Sequence, residues 1–232
     1  KAAVESLGKL GHKPPRKAAP PPARGDWVSA TKTRNFMNQD LVLDWLDLYG
    51  NEEEKDTSDK KYDANLDFVQ LLFRKGHEFE YIVVNHLQYK FDAGNFVTVG
   101  ADSKDPAKEQ ETLQHMKDGV PFILQGVLWN PQNRTFGMPD ILVRSDWLNQ
   151  ITEQETIGKH QETIRAPALD GDYHYRVVDV KFTTIKFNSS NTQILGQSSQ
   201  KAYKSQLAIY NKALHRLQEY KPPQAYLLSK NW

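Results

Sequence analysis

Gly137-Met-Pro-Asp-Ile-Leu-Val-Arg144 and Arg176-Val-Val-Asp-Val-Lys-Phe182 decide how this chain folds. Each contains a short run of Ile, Leu and Val of the kind that forms a buried strand. Each also carries a carboxylate, Asp140 in the first and Asp179 in the second, and the second adds Lys181. Charges among aliphatic side chains are costly unless they pair or hold a metal. Side chains alternate between the faces of a strand, so Asp179 and Lys181 share a face and reach the same water or phosphate. Spacing alone leaves two readings open. Either Asp140 ends a turn while Asp179 pairs with Lys181 or an arginine, or the carboxylates hold a divalent cation.

The neighbouring sequence supplies the rest of a core. Residues 121–129 read as a strand, Asn130-Pro-Gln-Asn133 as a turn, and 135–143 as the returning strand of a hairpin. Residues 66–87 read as a long helix, with Leu72, Phe79, Val83 and Leu87 at helical spacing and Glu80 on their side. Gly76 lies one turn before Glu80, where a small residue permits close approach. Asp105-Pro106 starts another helix, which ends near Asp118-Gly119. Residues 175–187 form a third strand. Residues 198–217 form a helix, with Tyr203, Leu207, Tyr210, Leu214 and Leu217 on one row, and Pro222-Pro223 blocks its continuation. Residues 225–229 form a last strand. The core order is helix, strand, strand, strand, helix, strand. It implies an α/β fold with a mixed sheet flanked by helices. Residues 40–49 add a short N-terminal amphipathic helix, and 96–100 a short strand. Residues 145–173 are polar and aperiodic, and are read as an insertion at a strand edge, a hairpin or helical flap.

At 232 residues the chain suits one decorated domain, 26–232, behind a basic, Pro- and Ala-rich segment, 1–25, expected to be a disordered linker. The formal net charge is only +1, so any basic surface is local. There is no cysteine, which excludes disulfides, thiolate zinc sites, cysteine-ligated iron–sulfur clusters and a cysteine nucleophile. No apolar run has the length of a membrane span, and no secretory signal is present. A soluble, intracellular chain without a membrane partner is the expectation. Lys at the start and strand-like residues at the end imply a fragment of a longer protein. No glycine-rich phosphate loop points to a nucleotide-driven motor.

Phosphodiester hydrolysis needs an activated water, a counter-charge for the phosphate and help for the leaving oxygen. One or two Mg²⁺ or Mn²⁺ ions supply all three. Such hard ions take carboxylate and carbonyl oxygens. Asp140, Asp179 and the carbonyl of Val180 suit them, and Glu80 can close the set from its helix. Lys181 would orient or deprotonate the water, or neutralise developing charge. Other acid-x-Lys triplets begin at Glu53, Asp59, Asp102 and Glu219, but in polar loops or at helix ends. Only Asp179-Val-Lys181 lies within an apolar strand.

Taken together, Pro139-Asp140 and Asp179-Val-Lys181 resemble the signature of the PD-(D/E)XK nucleases, and the element order resembles their restriction-endonuclease-like core. The RecB-like branch is the closer likeness. Gly76-His-Glu-Phe-Glu80 resembles its Gly-x-x-x-His or Gly-x-x-x-Glu helix motif, and Gln206-Leu-Ala-Ile-Tyr210 its Gln-x-x-x-Tyr motif. Residues 112–126 and Phe136-Gly-Met-Pro-Asp140 are similar to that branch's lead-in to the aspartate strand. The likeness covers about 29–229.

The resemblance implies a DNA nuclease dependent on Mg²⁺ or Mn²⁺, leaving 5′-phosphate and 3′-hydroxyl ends. Glu80, Asp140 and Asp179, with the Val180 carbonyl, would be metal ligands, and Lys181 would act in catalysis beside them. Gln206 and Tyr210 would touch DNA or hold the active-site lysine and carboxylates. The implied setting is end processing in repair, recombination or replication, on single strands or duplex ends. Further domains of a parent protein, such as a helicase or polymerase module, would be partners. Two departures stand out: Glu80 where many relatives carry His, and no cysteines for the cluster that several relatives use. The alternatives are a non-catalytic nucleic-acid-binding module and a structure-specific endonuclease. Gln125 either faces the site or edges its strand. Lys204, with Lys201 and Lys212, either meets phosphates or lies on a solvated face. Thr31, Lys32 and Arg34 lie where the branch places a helix over its site.

Overall fold

The computed structural model describes residues 27–51, 67–100, 102–190, 193–196 and 199–230. The linker expected at 1–25 and the acid-x-Lys triplets at Glu53 and Asp59 lie outside the described residues. The chain runs β1 (Val28–Ser29), α1 (Thr33–Met37), α2 (Leu41–Tyr49), α3 (Phe68–Phe91), β2 (Phe96–Thr98) and α4 (Pro106–Lys117). Then come β3 (Phe122–Leu124), β4 (Leu128–Asn130), β5 (Thr135–Gly137), β6 (Ile141–Arg144), α5 (Ser145–Ile151), α6 (Lys159–Glu162), β7 (Tyr175–Lys181), α7 (Ser199–Gln218) and β8 (Tyr226–Ser229).

The main sheet has the order β2-β3-β6-β7-β8. Its β3–β6 and β6–β7 pairs are antiparallel, while β2–β3 and β7–β8 are parallel. The fold is therefore α/β with a mixed sheet, and the order α3, β3, β6, β7, α7, β8 runs through it. Period-two alternation gives each face its own core. Phe122, Leu124, Ile141, Val143, Val178 and Val180 pack with Val83 and Leu87 of α3. Ile123, Leu142, Tyr175 and Val177 pack on the other face with Leu207, Tyr210, Leu214 and Leu217 of α7. Asp179 and Lys181 continue the second series, so their side chains leave the sheet on the α7 side.

Side chains pin the helices to this frame. The Asp67 carboxylate accepts from Val69 and Gln70 N–H at the start of α3, and Asp105 accepts from Ala107 N–H at the start of α4. Fully buried Gln218, at the end of α7, accepts from Tyr175 N at 2.8 Å and donates to Tyr175 O at 3.1 Å. That double bond sets the height of α7 against β7. Glu109 of α4 accepts from Trp129 N–H and pairs with Arg216, which also donates to Trp129 O.

Three expectations are corrected. The two long hairpin strands are each broken in the middle. Their outer halves form β4 and β5 in a separate three-stranded sheet with β1, and their inner halves form β3 and β6. The breaks lie side by side. Gln125 takes φ 50°, a conformation that leaves the strand, and opposite it Pro139 has no N–H for a ladder. Gln125 N–H donates to Asp140 O across the bend. The third strand stops at Lys181 rather than continuing to 187. Residues 145–173 do not extend from a sheet edge. They connect the central pair β6 and β7, fold as α5 and α6, and bury Leu148, Ile151, Ile157, Ala166 and Leu169. They leave β6 and re-enter β7 at the end opposite Lys181, and none of them lines the cavity on its α7 side. Among the described residues no helix is long and apolar enough to cross a membrane.

Candidate active site

The bend in the hairpin is what brings Asp140 to Lys181. Asp140 closes the break before β6, and its Oδ2 accepts from Val180 N–H at 2.6 Å. That bond ties the start of β6 to the end of β7. Two residues along β7 from Val177, Asp179 is only 1% exposed. Lys181 Nζ lies 2.7 Å from Asp179 Oδ2 and 3.9 Å from Asp140 Oδ2. Asp179 Oδ1 has no hydrogen-bond partner among the described residues.

Charge on this cluster is tightly coupled. Burial, and then the negative charge of Asp179, push the Asp140 carboxyl well above its usual range, with Glu80 adding to the effect. The Lys181 charge and the Val180 N–H oppose that rise. Burial disfavours the Lys181 cation, but Asp179 and Asp140 outweigh it and hold the amine above its usual range. Lys181 is thus a cation at neutral pH, suited to orienting or neutralising rather than to taking a proton.

A cavity of about 470 Å³ opens over the cluster. Asp140, Val180 and Lys181 form its floor. Gly76, His77 and Glu80 of α3 wall one side, and Gln206 and Tyr210 of α7 the other. Thr31 and Arg34 close it from the N-terminal segment. Gln206 Nε2 donates to Tyr210 Oη at 2.8 Å, and that hydroxyl donates to Met138 O at 3.4 Å. Burial, then the Asp179 charge, raise the Tyr210 hydroxyl well above its usual range, so it stays a donor. Tyr210 therefore joins α7 to the bend that carries Asp140.

Gly137 makes this possible. A β-carbon there would overlap Cε1 of the Tyr210 ring, and it would also crowd Ala30. Gly137→Ala is expected to displace Tyr210 and lower stability by about 1–3 kcal/mol through overpacking. Urea unfolding of the variant against wild type checks the effect.

The predicted residues fall into three groups. Asp140, Asp179 and Lys181 come together directly. Glu80, Val180, Gln206 and Tyr210 line the same cavity, and Gln125 shares an adjoining cleft with Glu80 and Asp140. Lys204 is engaged elsewhere, with its amine donating to Ile194 O. Glu80 does not close a ligand set in this geometry. Among the described residues no group of three or more His, Cys, Asp or Glu side chains is disposed to hold a metal ion. The Lys181 amine itself takes the counter-ion position beside Asp179 and Asp140, while Glu80 Oε2 lies 4.0 Å from His77 Nδ1.

Leu72, Phe73, Phe182 and Tyr203 also line the cavity, and sequence reasoning gave them no site role. Tyr203 was legible in principle. It precedes Gln206 by three positions and so shares its helical face. Leu72 and Phe73 lie one turn before Gly76 and His77, but exposed apolar residues carry no such signal. A comparison with known protein families finds no matching family model, and comparisons with curated proteins and with solved structures find no match.

The donor chemistry fits a hard divalent cation. Asp140 and Asp179 offer carboxylate oxygens, and one buried oxygen of Asp179 is unsatisfied, which is the condition such an ion relieves.

Proposed function

We propose that this chain is a metal-dependent DNA nuclease with a restriction-endonuclease-like core of the RecB-like branch. The observation that carries the reading is the Lys181 amine bracketed by Asp179 and Asp140 on a cavity floor, with Asp179 Oδ1 unsatisfied. Support also comes from the order α3, β3, β6, β7, α7, β8, and from the cavity lined by Glu80, Asp140, Lys181 and Gln206 with Asp179 buried beneath Lys181.

Asp140 and Asp179, with Glu80 and the Val180 carbonyl nearby, would hold Mg²⁺ or Mn²⁺. Bound there, the ion would supply an activated water and a counter-charge for the phosphate. Lys181 offsets the charge of Asp179 and presents an N–H donor to a phosphate oxygen or to the attacking water. The Val180 N–H fixes the Asp140 carboxylate. Tyr210, oriented by Gln206, keeps the bend at Met138 in place. Arg34 presents a guanidinium to the cavity from the side opposite α3, where it meets a phosphate backbone.

One observation favours a second reading, a non-catalytic nucleic-acid-binding module. Lys181 already pairs with the buried Asp179, and among the described residues no three-acid group is gathered. End-labelled single- and double-stranded DNA, incubated with Mg²⁺, Mn²⁺ or EDTA, separates the two. Cleavage by the wild type with either metal, absent in EDTA and in Asp140→Asn, supports the nuclease. DNA binding without cleavage under every metal condition supports the module instead.

A further inference from the structure

The cavity over Lys181 does not end at Glu80. A second cleft of about 300 Å³ adjoins it, and His77, Glu80 and Asp140 line both. One stripe of α3 walls the pair. Phe73, His77 and Glu80 in the first cleft, and His77, Glu80, Tyr81 and Val84 in the second, recur at intervals of three and four residues, so they share a helical face. From Phe73 to Val84 that face is about 16 Å long. Opposite it, the sheet supplies Asp140 and Lys181 to the first cleft, and Leu124 and Gln125 to the second. The two clefts thus form one groove along α3, and Asp140 lies where its halves meet.

The second half differs in chemistry from the first. Among the described residues no Lys or Arg lines it. Val84 and Leu124 give it apolar surface, and the Tyr81 ring is 69% exposed. Gln125 adds an amide. Its φ of 50° costs a glutamine energy that it would not cost a glycine, so the bend gives no reason for glutamine here. Its backbone N–H is used, but its side-chain amide makes no hydrogen bond among the described residues. Gly100, at φ 45°, passes so near that a β-carbon there would lie 3.2 Å from Gln125 Oε1. The amide is therefore backed by main chain on one side and open to the cleft on the other.

We propose that this second half binds one unpaired nucleobase of the strand whose phosphate lies over Asp140 and Lys181. The inference rests on the nucleic-acid reading of the site, and adds which part of the strand the protein grips beside that phosphate. A base has apolar faces and a polar edge. Val84, Leu124 and the Tyr81 ring accept the faces, and the Gln125 amide, both donor and acceptor, meets the edge. A phosphate would find no Lys or Arg in this half. A base lodged between α3 and the sheet has left its partner strand, so the substrate is single-stranded at this position.

Two labelled strands of equal length test this: a mixed-sequence oligodeoxynucleotide, and the same sugar–phosphate backbone without bases. Each is titrated by fluorescence anisotropy in Ca²⁺ and in EDTA. The wild type is expected to hold the strand with bases roughly ten-fold or more tightly than the abasic one, the worth of base stacking on an aromatic ring. Tyr81→Ala should remove most of that preference. Gln125→Gly, which the backbone conformation suits, should weaken the strand with bases several-fold while its urea midpoint stays at or above that of the wild type. Neither variant should change the affinity for the abasic strand. Variants that weaken both strands alike, or weaken neither, overturn this inference, as does a wild type indifferent to the bases. In those cases binding of the abasic strand leaves the nucleic-acid reading intact. A wild type that binds neither strand in either condition overturns both.

Discussion

If the chain is the proposed nuclease, Lys181→Met is expected to slow DNA cleavage by roughly a hundred- to a thousand-fold, the usual worth of one hydrogen-bond donor aimed at developing charge, and to destabilise the metal-free chain at the same time. Both effects follow from one geometry. The amine lies 2.7 Å from Asp179 Oδ2 and 3.9 Å from Asp140 Oδ2, and Asp179 is almost wholly buried. Removing the amine leaves two close carboxylates with only the Val180 N–H to stabilise either. Breaking a buried ion pair by deleting one partner costs about 3–5 kcal/mol. A divalent cation would take over the counter-charge. Melting of Lys181→Met should therefore fall well below wild type in EDTA and recover substantially with Mg²⁺ or Mn²⁺. Cleavage should not recover, because the ion does not replace the N–H donor. Asp179→Asn/Lys181→Met removes a charge from each side, so it should melt closer to wild type in EDTA and respond less to metal. Lys181→Met cleaving at the wild-type rate would remove the amine from the chemistry. Unchanged melting in EDTA would show that the carboxylates do not depend on it.

The contrast between what the sequence displayed and what it concealed has a physical basis. Asp179 and Lys181 stood out because a two-residue repeat inside Val177, Val178 and Val180 leaves no ambiguity about which side chains share a face. Glu80 stood out because a 3.6-residue repeat puts it beside Val83, Val84 and Leu87. Those are local periodicities. The break in the hairpin is not local. Phe122 to Trp129 is apolar with hardly an interruption, and only the pairing of Gln125 with Asp140 across the bend shows that it serves two sheets. The same limit applies to residues 145–173. Leu148, Ile151, Ile157, Ala166 and Leu169 are core residues, but two sit in one short helix and three in loops, so no period marks them. The distance from Glu80 to the aspartates is set by how α3 lies on the sheet, and no pattern within α3 encodes it.

A second buried charge, far from the cavity, makes the fold sensitive to acid. Arg176 leaves β7 on the α3 side and is fully buried. No carboxylate pairs with it among the described residues. Its donors go instead to neutral acceptors: His174 Nε2 at 3.0 Å, Gln224 Oε1 at 3.1 Å, Tyr226 Oη at 3.3 Å and Gln161 Oε1 at 3.3 Å. The arrangement joins β7 to β8 and to α6, and it works only while His174 is neutral. Ile164 O can only accept, so His174 Nδ1 carries the proton at 2.9 Å from it, and Nε2 is left to accept from Arg176. A proton on Nε2 would break that bond and set a second cation against the first. Burial, helped by the Arg176 charge and opposed by the Ile164 carbonyl, lowers His174 from its usual 6.5 to about 4. The unfolded chain therefore takes up a proton below pH 6.5 that the folded chain does not bind until about 4. Stability from this group is fully present above pH 6.5 and falls as pH drops through that window. The total loss is about 3 kcal/mol, at 1.36 kcal/mol for each pH unit. Urea unfolding between pH 7 and 4 should show the decline. His174→Gln, less stable at pH 7, should show a slope shallower by one proton. Equal slopes for the two proteins would mean that His174 does not carry the acid sensitivity.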